Sequence, residues 1–405
     1  MLILLGYGQT NKALAEKFAP CCIFDDSFTQ ISKDSYGNTL LPPNKLQETL
    51  QKYPQAQIIT TPGIPPQNLM IKLTNPISEY DFFATKMPFS VWISGTNGKT
   101  TTTQMLTHLL KHKGAISGGN IGNPLANMDT NAPLWILETS SFTLHYTKIA
   151  KPNLYLLLPI TQDHISWHGD YESYINDKLK PILTMQDKEI AILPKSLQSH
   201  PFCQKSLAKL FFYEDSQSLA REFFLEIPKI RFQEPFLLDA LLALSATQVL
   251  FQQVDYDLLN SFKIGEHKIE EFWDNQNRLW VDDSKGTNLD ATLEAIKRYK
   301  DKKIHLILGG DDKGADLTPL FEFMRLCQIS LYAIGSNTQK LTHLAEKYQI
   351  NHLPCYTLEV AVNEIKKHHN SQSIAMLSPA AASLDQFSSY KQRGEKFKSF
   401  VLNTP

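Results

Sequence analysis

The chain has 405 residues, 42% hydrophobic and 20% charged, with a formal net charge of −1. This is the composition of a globular protein with room for roughly two to four cores. It excludes a broadly basic nucleic-acid binder and a protein drawn to anionic lipid by overall charge.

Five cysteines, Cys21, Cys22, Cys203, Cys327 and Cys355, form no C-x-x-C pair. That argues against a disulfide framework and a C-x-x-C zinc site. The opening "MLILLGYGQT" has neither a basic n-region nor a long apolar h-region. No apolar run reaches the roughly 18 residues of a membrane span. The expectation is a cytoplasmic protein with no membrane insertion and no nucleic-acid partner.

"LILLGYGQTNKALAEKF" reads as strand, glycine turn and helix. "CCIFDD" is a second strand ending in Asp25 and Asp26, and "QIITTPGIPP" a third ending in a Pro/Gly turn. A second α/β series begins at "FSVWISGTNGKTTTTQMLTHLLKHKG" and continues through "PLWILETSSF", "PNLYLLLPITQDH", "EIAILP" and the helical "FLLDALLALSATQVL". A third runs through "RLWVDDSKGTN", "KIHLILGGDDKG", "ISLYAIGS" and "SIAMLSPAAASLDQF". Strands alternating with helices predict mostly parallel sheets, with ligands at the strand C-terminal ends. The fold class is α/β with three domains, breaking near residues 80 and 266: 1–80 Rossmann-like, 81–265 a phosphate-loop domain, 266–405 Rossmann-like.

The segment "SGTNGKTTT" lies between a strand and a helix, as a phosphate loop requires. Backbone N–H groups and the helix N-terminus would face an anion, Lys99 would reach the β/γ-phosphates and Thr100 the Mg²⁺. The usual pattern wants a glycine at position 93, where this chain has Ile93, with Gly95 and Gly98 further on. The bland alternative is a glycine turn with a helix-capping threonine. In "GYGQTN", Asn11 stands where a dinucleotide fingerprint wants its third glycine, which weakens a nicotinamide reading. A phosphate-loop switch that hydrolyses ATP without forming a bond remains open on these residues alone.

In this form the loop resembles that of the Mur ligase superfamily, which reads T-G-T-N-G-K-[ST]. Its members, folylpolyglutamate synthases among them, join a carboxylate to an amine through an acyl phosphate made from ATP. The resemblance implies ATP contacts at Gly95, Thr96, Asn97, Gly98, Lys99, Thr100 and Thr101. "LETSSF" resembles a segment whose glutamate, here Glu138, binds magnesium; standing alone, that residue would read as a strand-end surface acid. In "TQDHISWHGDYESYINDKLKPIL", His164 matches a family histidine and Lys178 a lysine that is carbamylated with CO₂ to become a metal-binding anion. Lys180 competes for that place, and Lys-Leu favours Lys178. The implied metal set is two Mg²⁺ held through Thr100, Glu138, His164 and Lys178, with Lys99, His164 and Lys178 as the catalytic set.

"DDSKGTN" (282–288), "LGGDDKGAD" (308–316) and "LSPAAASLDQFSSYKQRGEKF" (377–397) are similar to the superfamily members that add D-glutamate to UDP-N-acetylmuramoyl-L-alanine in peptidoglycan precursor synthesis. That implies Thr287, Lys313, Ser383, Leu384 and Tyr390 around D-glutamate, with Asp283 and Lys285 near the nucleotide. It implies Gln9, Thr10, Asp25, Asp26, Gly63 and Asn120 around the UDP substrate, and a monomeric enzyme. The sequence departs from the family pattern at three places. Asp26-Ser27 stands where Thr-Arg is usual after the aspartate. Lys268 replaces an arginine in "HKIE". Phe236 and Asp239 replace residues of an H-N-x-x-N pattern in the helix before it. Asp239 and Lys268 are carried over as ATP contacts on the adenine side.

Overall fold

A computed structural model describes residues 1–403. The apolar runs become strands buried on both faces, as in parallel sheets covered by helices. The first sheet holds β1 (Leu2–Leu5), β2 (Cys22–Phe24), β3 (Ser32–Lys33), β4 (Thr39–Leu41) and β5 (Gln57–Thr60), in the order β3-β4-β2-β1-β5. Only β3, at its edge, runs antiparallel to its neighbour.

The second sheet is parallel throughout: β6 (Phe89–Ser94), β7 (Ala115–Gly119), β8 (Leu134–Glu138), β9 (Leu154–Leu157), β10 (Ile190–Pro194) and β11 (Lys209–Tyr213), in the order β11-β10-β9-β6-β8-β7. β6 lies between β8 and β9 in the middle of the sheet. The loop that follows it therefore opens at the strand C-terminal ends, where parallel sheets bind ligands.

The third sheet has β12 (Glu270–Trp273), β13 (Leu279–Asp282), β14 (Lys303–Gly309), β15 (Ile329–Ile334), β16 (Asn351–Tyr356) and β17 (Ser373–Leu377), in the order β12-β13-β17-β14-β15-β16. Its edge strand β12 is antiparallel to β13.

The first two sheets belong to one compact unit, Met1–Phe262, and the third to another, Lys263–Pro405. Within the first unit, polar contacts link its parts. Gln9 Nε2 donates to Gly122 O at 2.6 Å and Lys17 Nζ to Ala126 O at 2.7 Å. The Asp81 carboxylate accepts from the backbone N–H groups of Lys148, Ile149 and Ala150. Among the described residues, no helix is long and apolar enough to cross a membrane.

Among the buried histidines of the second unit, His305 and His369 have ring centroids 5.7 Å apart. Burial pushes both down to about 4, helped by His369 for the first and Arg278 for the second. Their unfolded value is about 6.5, so the unfolded chain takes up protons first as pH falls. The neutral pair therefore supports this unit fully above about pH 6.5 and loses that support towards pH 4. Unfolding followed through Trp280, whose ring centroid is 5.0 Å from that of His369, should show this loss. Near pH 5, His369→Asn should reduce proton uptake on unfolding by about one. An unchanged slope would contradict the assignment.

Candidate active site

Ile93 lies in β6, fully buried and paired with Glu138 and Leu156. The strand therefore continues through the position where the common phosphate loop has its first glycine. Gly95 has φ 141°, and a Cβ there would lie 2.5 Å from Leu158 Cβ. Gly98 has φ 83°, and its Cβ would lie 2.3 Å from Asp239 Oδ1. Both places demand glycine, for conformation and for space. The helix Lys99–Leu110 starts directly after, with Gly98 as its N-cap.

Lys99 folds back on its own loop, its Nζ donating to Gly95 O at 2.9 Å and Thr96 O at 2.6 Å. Thr96 is buried and shares a hydrogen bond with the Tyr174 hydroxyl, while Asn97 is exposed. Thr101 is buried in the first helical turn. Thr102 Oγ1 donates to Asp239 Oδ1 at 3.0 Å. Asp239, 3% exposed, thus braces the loop helix from the helix Phe236–Phe251. Its burial and its bond to Thr102 make it a support of the loop and argue against the open base contact expected of it.

Glu138, the last residue of β8, joins two of the expected partners. Its Oε2 accepts from Thr100 Oγ1 and its Oε1 from Asn120 Nδ2, both at 2.8 Å. It is 3% exposed, so it is not a surface acid. A buried carboxylate beside a loop hydroxyl is an all-oxygen donor set, which suits Mg²⁺.

Lys178 lies on the helix Tyr171–Leu179 and is 1% exposed. Its Nζ donates to Gly95 O at 2.8 Å and sits 4.7 Å from the Tyr174 ring centroid. Lys99 and Lys178 thus share one carbonyl oxygen. Burial, with Lys99 nearby, holds the Lys178 amine well below the usual lysine range. A neutral amine is the form that adds CO₂. Lys180, the competing lysine, instead pairs with Asp177 at 3.0 Å, its side chain 36% exposed.

His164 precedes the short helix Ile165–His168 with φ 55°. Its ring centroid is 4.8 Å from that of Phe142, and its Nε2 lies 3.5 Å from Asp163 Oδ2.

At the first sheet, Gln9 and Thr10 open the helix Gln9–Lys17. Asn11 is fully buried and donates to Leu5 O and Gly6 O. It locks the turn where a dinucleotide site would need a glycine. Asp25 accepts from Tyr7 N on one oxygen and from Ser27 N and Oγ on the other. Asp26 accepts from Asn68, and Gly63 O takes the Trp167 indole N–H at 3.4 Å.

In the second unit the expected amino-acid residues follow β13, β14 and β17. Thr287 comes after β13, Lys313 after β14 in a left-handed conformation (φ 51°), and Ser383 and Leu384 after β17. Asp311 and Ala382 exchange backbone hydrogen bonds, and Ala380 N donates to Gly286 O, so the three loops are joined. Ser383 is buried, whereas Leu384 is 71% exposed. Lys285 Nζ lies 4.3 Å from the Tyr390 ring centroid. Asp283 is turned inward, accepting from Ser378 Oγ at 2.6 Å and Ile269 N at 3.2 Å. Burial pushes it up to about 7, and its two accepted bonds tie the loop after β13 to Ser378 and Ile269. Lys268 lies between His267 and Ile269, both left-handed.

Sequence reasoning missed Arg393. It is 1% exposed, with Nε donating to Ser284 Oγ, Nη2 to Ser284 O and Ala381 O, and Nη1 to Ala381 O and Ala382 O. One guanidinium therefore clamps the loops after β13 and β17, using a fork of donors that lysine lacks. Its one signal in the sequence is its place inside the C-terminal segment "YKQRGEKF".

Residues 93–213 match the Mur ligase middle domain. The chain is 52% identical over 403 residues to the UDP-N-acetylmuramoylalanine–D-glutamate ligase of Campylobacter jejuni strain 81-176, covering 98% of both chains. It is 46% identical to the ligase of the same name from Helicobacter pylori strain 26695, covering 98% of this chain and 99% of that one. Its fold matches a MurF ligase from Thermotoga maritima solved in complex with ADP, with TM-score 0.58 and 17% identity over 88% of this chain and 90% of that chain. The chain belongs to the Mur ligase family, and within it to the UDP-N-acetylmuramoylalanine–D-glutamate ligases.

Proposed function

We propose that the chain joins D-glutamate to UDP-N-acetylmuramoyl-L-alanine with cleavage of ATP to ADP and phosphate, as a monomer in the cytoplasm. The observation that carries the reading is the convergence of Thr100, Glu138 and Asn120 beside a loop that also holds two lysines on one carbonyl. Three roles are assigned along the chain: UDP-substrate binding to 1–80, ATP binding to 81–265 and amino-acid binding to 266–405.

The loop N–H groups and Lys99 bind the ATP phosphates, Lys99 leaving its own loop carbonyls to do so. Thr100, Glu138, His164 and carbamylated Lys178 would hold two Mg²⁺, which supply charge neutralisation between carboxylate and phosphate. Gln9, Thr10, Asp25, Asp26, Gly63 and Asn120 orient the UDP substrate so that its carboxylate meets the γ-phosphate. Lys99 stabilises the charge that develops there. Lys313 holds one D-glutamate carboxylate and the Thr287, Ser383 and Leu384 loops the other, with Tyr390 beside the side chain. The carboxylate takes the γ-phosphoryl group as the bond to ADP breaks, giving the acyl phosphate. The free amine then attacks its carbonyl carbon, phosphate leaves and the amine gives up a proton.

The test is phosphate release from ATP and Mg²⁺ with UDP-N-acetylmuramoyl-L-alanine, adding D-glutamate, L-glutamate, L-alanine or meso-diaminopimelate singly. The expected result is release with D-glutamate alone. Release that needs no amine would point to a hydrolytic switch and sink the reading. Arg393→Lys, which keeps the charge but loses the fork, should raise the D-glutamate KM about tenfold, or ~1.4 kcal/mol. An unchanged KM would show that the Arg393 clamp does not shape the amino-acid loops.

A further inference from the structure

Three short helices of the first unit meet at a cluster that the proposed reaction does not use. His145 belongs to Ser141–Tyr146, His168 to Ile165–His168 and Asp177 to Tyr171–Leu179. His145 Nδ1 lies 2.8 Å and His168 Nδ1 2.9 Å from the same atom, Asp177 Oδ2. One potential ligand atom from each residue lies within 4.8 Å of the others. The second oxygen, Oδ1, is occupied by Lys180 at 3.0 Å, which leaves Oδ2 to the histidines. The far nitrogen of His168, Nε2, lies 3.0 Å from Ser141 Oγ.

We propose that His145, His168 and Asp177 bind one late first-row transition-metal ion, Zn²⁺ above all, separately from the Mg²⁺ site. Two imidazoles and one carboxylate suit Zn²⁺ and disfavour Mg²⁺, which prefers oxygen. Three protein ligands leave a fourth position for water. His145, its side chain 30% exposed, provides the route from solvent. Tetrahedral Zn²⁺ needs these ligands about 2.0–2.2 Å away, hence roughly 3.3 Å from one another. The contacts to Asp177 must therefore open by only about half an ångström to admit it. With both Nδ1 atoms on the metal, each neutral ring carries its proton on Nε2. His168 then donates to Ser141 Oγ, the kind of outer partner that fixes a ligating histidine. The ring centroid of Trp167 lies 4.5 Å from that of His168 and 5.1 Å from that of His145, giving the site an apolar wall.

Bound metal cross-links the helix that carries Lys178 to the two helices that precede it in the chain. It therefore acts as a clamp on the segment that presents the carbamate.

The full chain, stripped of metal and held in millimolar Mg²⁺, is titrated with Zn²⁺ alone while binding heat and thermal unfolding are recorded. One Zn²⁺ per chain is expected, with a rise in unfolding temperature. His145→Ala, a change at a half-buried ring, should weaken that binding about a hundredfold or more, and Ser141→Ala about tenfold. Cobalt(II) in place of zinc should give the absorption of a four-coordinate ion in the unaltered chain and lose it in His145→Ala. Zinc that binds His145→Ala as tightly as the unaltered chain, or no zinc at all, would overturn the site.

Discussion

Lys178→Ala should lower D-glutamate-dependent phosphate release about a hundredfold or more, the scale of losing one fixed group that stabilises developing charge. The reason lies in where the amine sits. It is 1% exposed, and burial with Lys99 nearby favours its neutral form. Carbamylation turns that amine into an anion beside the Lys99 ammonium, with which it shares the Gly95 carbonyl. Two readouts separate this role from simple packing. A short carboxylic acid such as acetate should restore part of the activity of Lys178→Ala, since it can stand in for the carbamate. Lys178→Arg keeps a cation and cannot form the carbamate, so it should stay inactive with or without acetate. Full activity in either variant would contradict the carbamate.

The second large effect is expected at Glu138. Glutamine keeps the size but replaces one oxygen by an amide NH₂. Both present partners, Thr100 Oγ1 and Asn120 Nδ2, donate to the carboxylate, so one of them would meet a donor. The site also loses the negative charge that a hard cation needs. Glu138→Gln should cut kcat about 10²- to 10³-fold and move the Mg²⁺ dependence of phosphate release to higher concentration. A variant with an unaltered Mg²⁺ profile would remove Glu138 from the metal set.

The long buried strands are legible because their apolar runs end in polar residues, as in "PLWILE" and "SVWIS". The strands that the sequence hides are short or lie near sheet edges. β7 is "AISGG", with two glycines, and β16 is "NHLPCY", largely exposed and carrying Pro354. Proline and glycine weaken a strand pattern, and proline is tolerated at an edge. β3 and β4 are two and three residues long, too short to show a period. The site divides the same way. Lys99, Thr100 and Glu138 follow from loop chemistry and a family pattern. Lys178 follows from the pattern alone, because nothing about one lysine on a helix announces its burial. Asp239 and Asp283 have acceptor chemistry that suits a nucleotide, but both are buried and accept from groups of the protein, Asp239 from Thr102 and Asp283 from Ser378. The clusters around Arg393 and Asp177 join residues far apart in the chain, so no local window contains them.

The most direct test follows oxygen. UDP-N-acetylmuramoyl-L-alanine labelled with ¹⁸O in both carboxylate oxygens is turned over with ATP, Mg²⁺ and D-glutamate. If the carboxylate attacks the γ-phosphate and the amine then expels phosphate, each phosphate released carries one ¹⁸O and the amide product keeps the other. Unlabelled phosphate, or label appearing in the nucleotide, would contradict an acyl phosphate and with it the roles given to Lys99, Glu138 and Lys178.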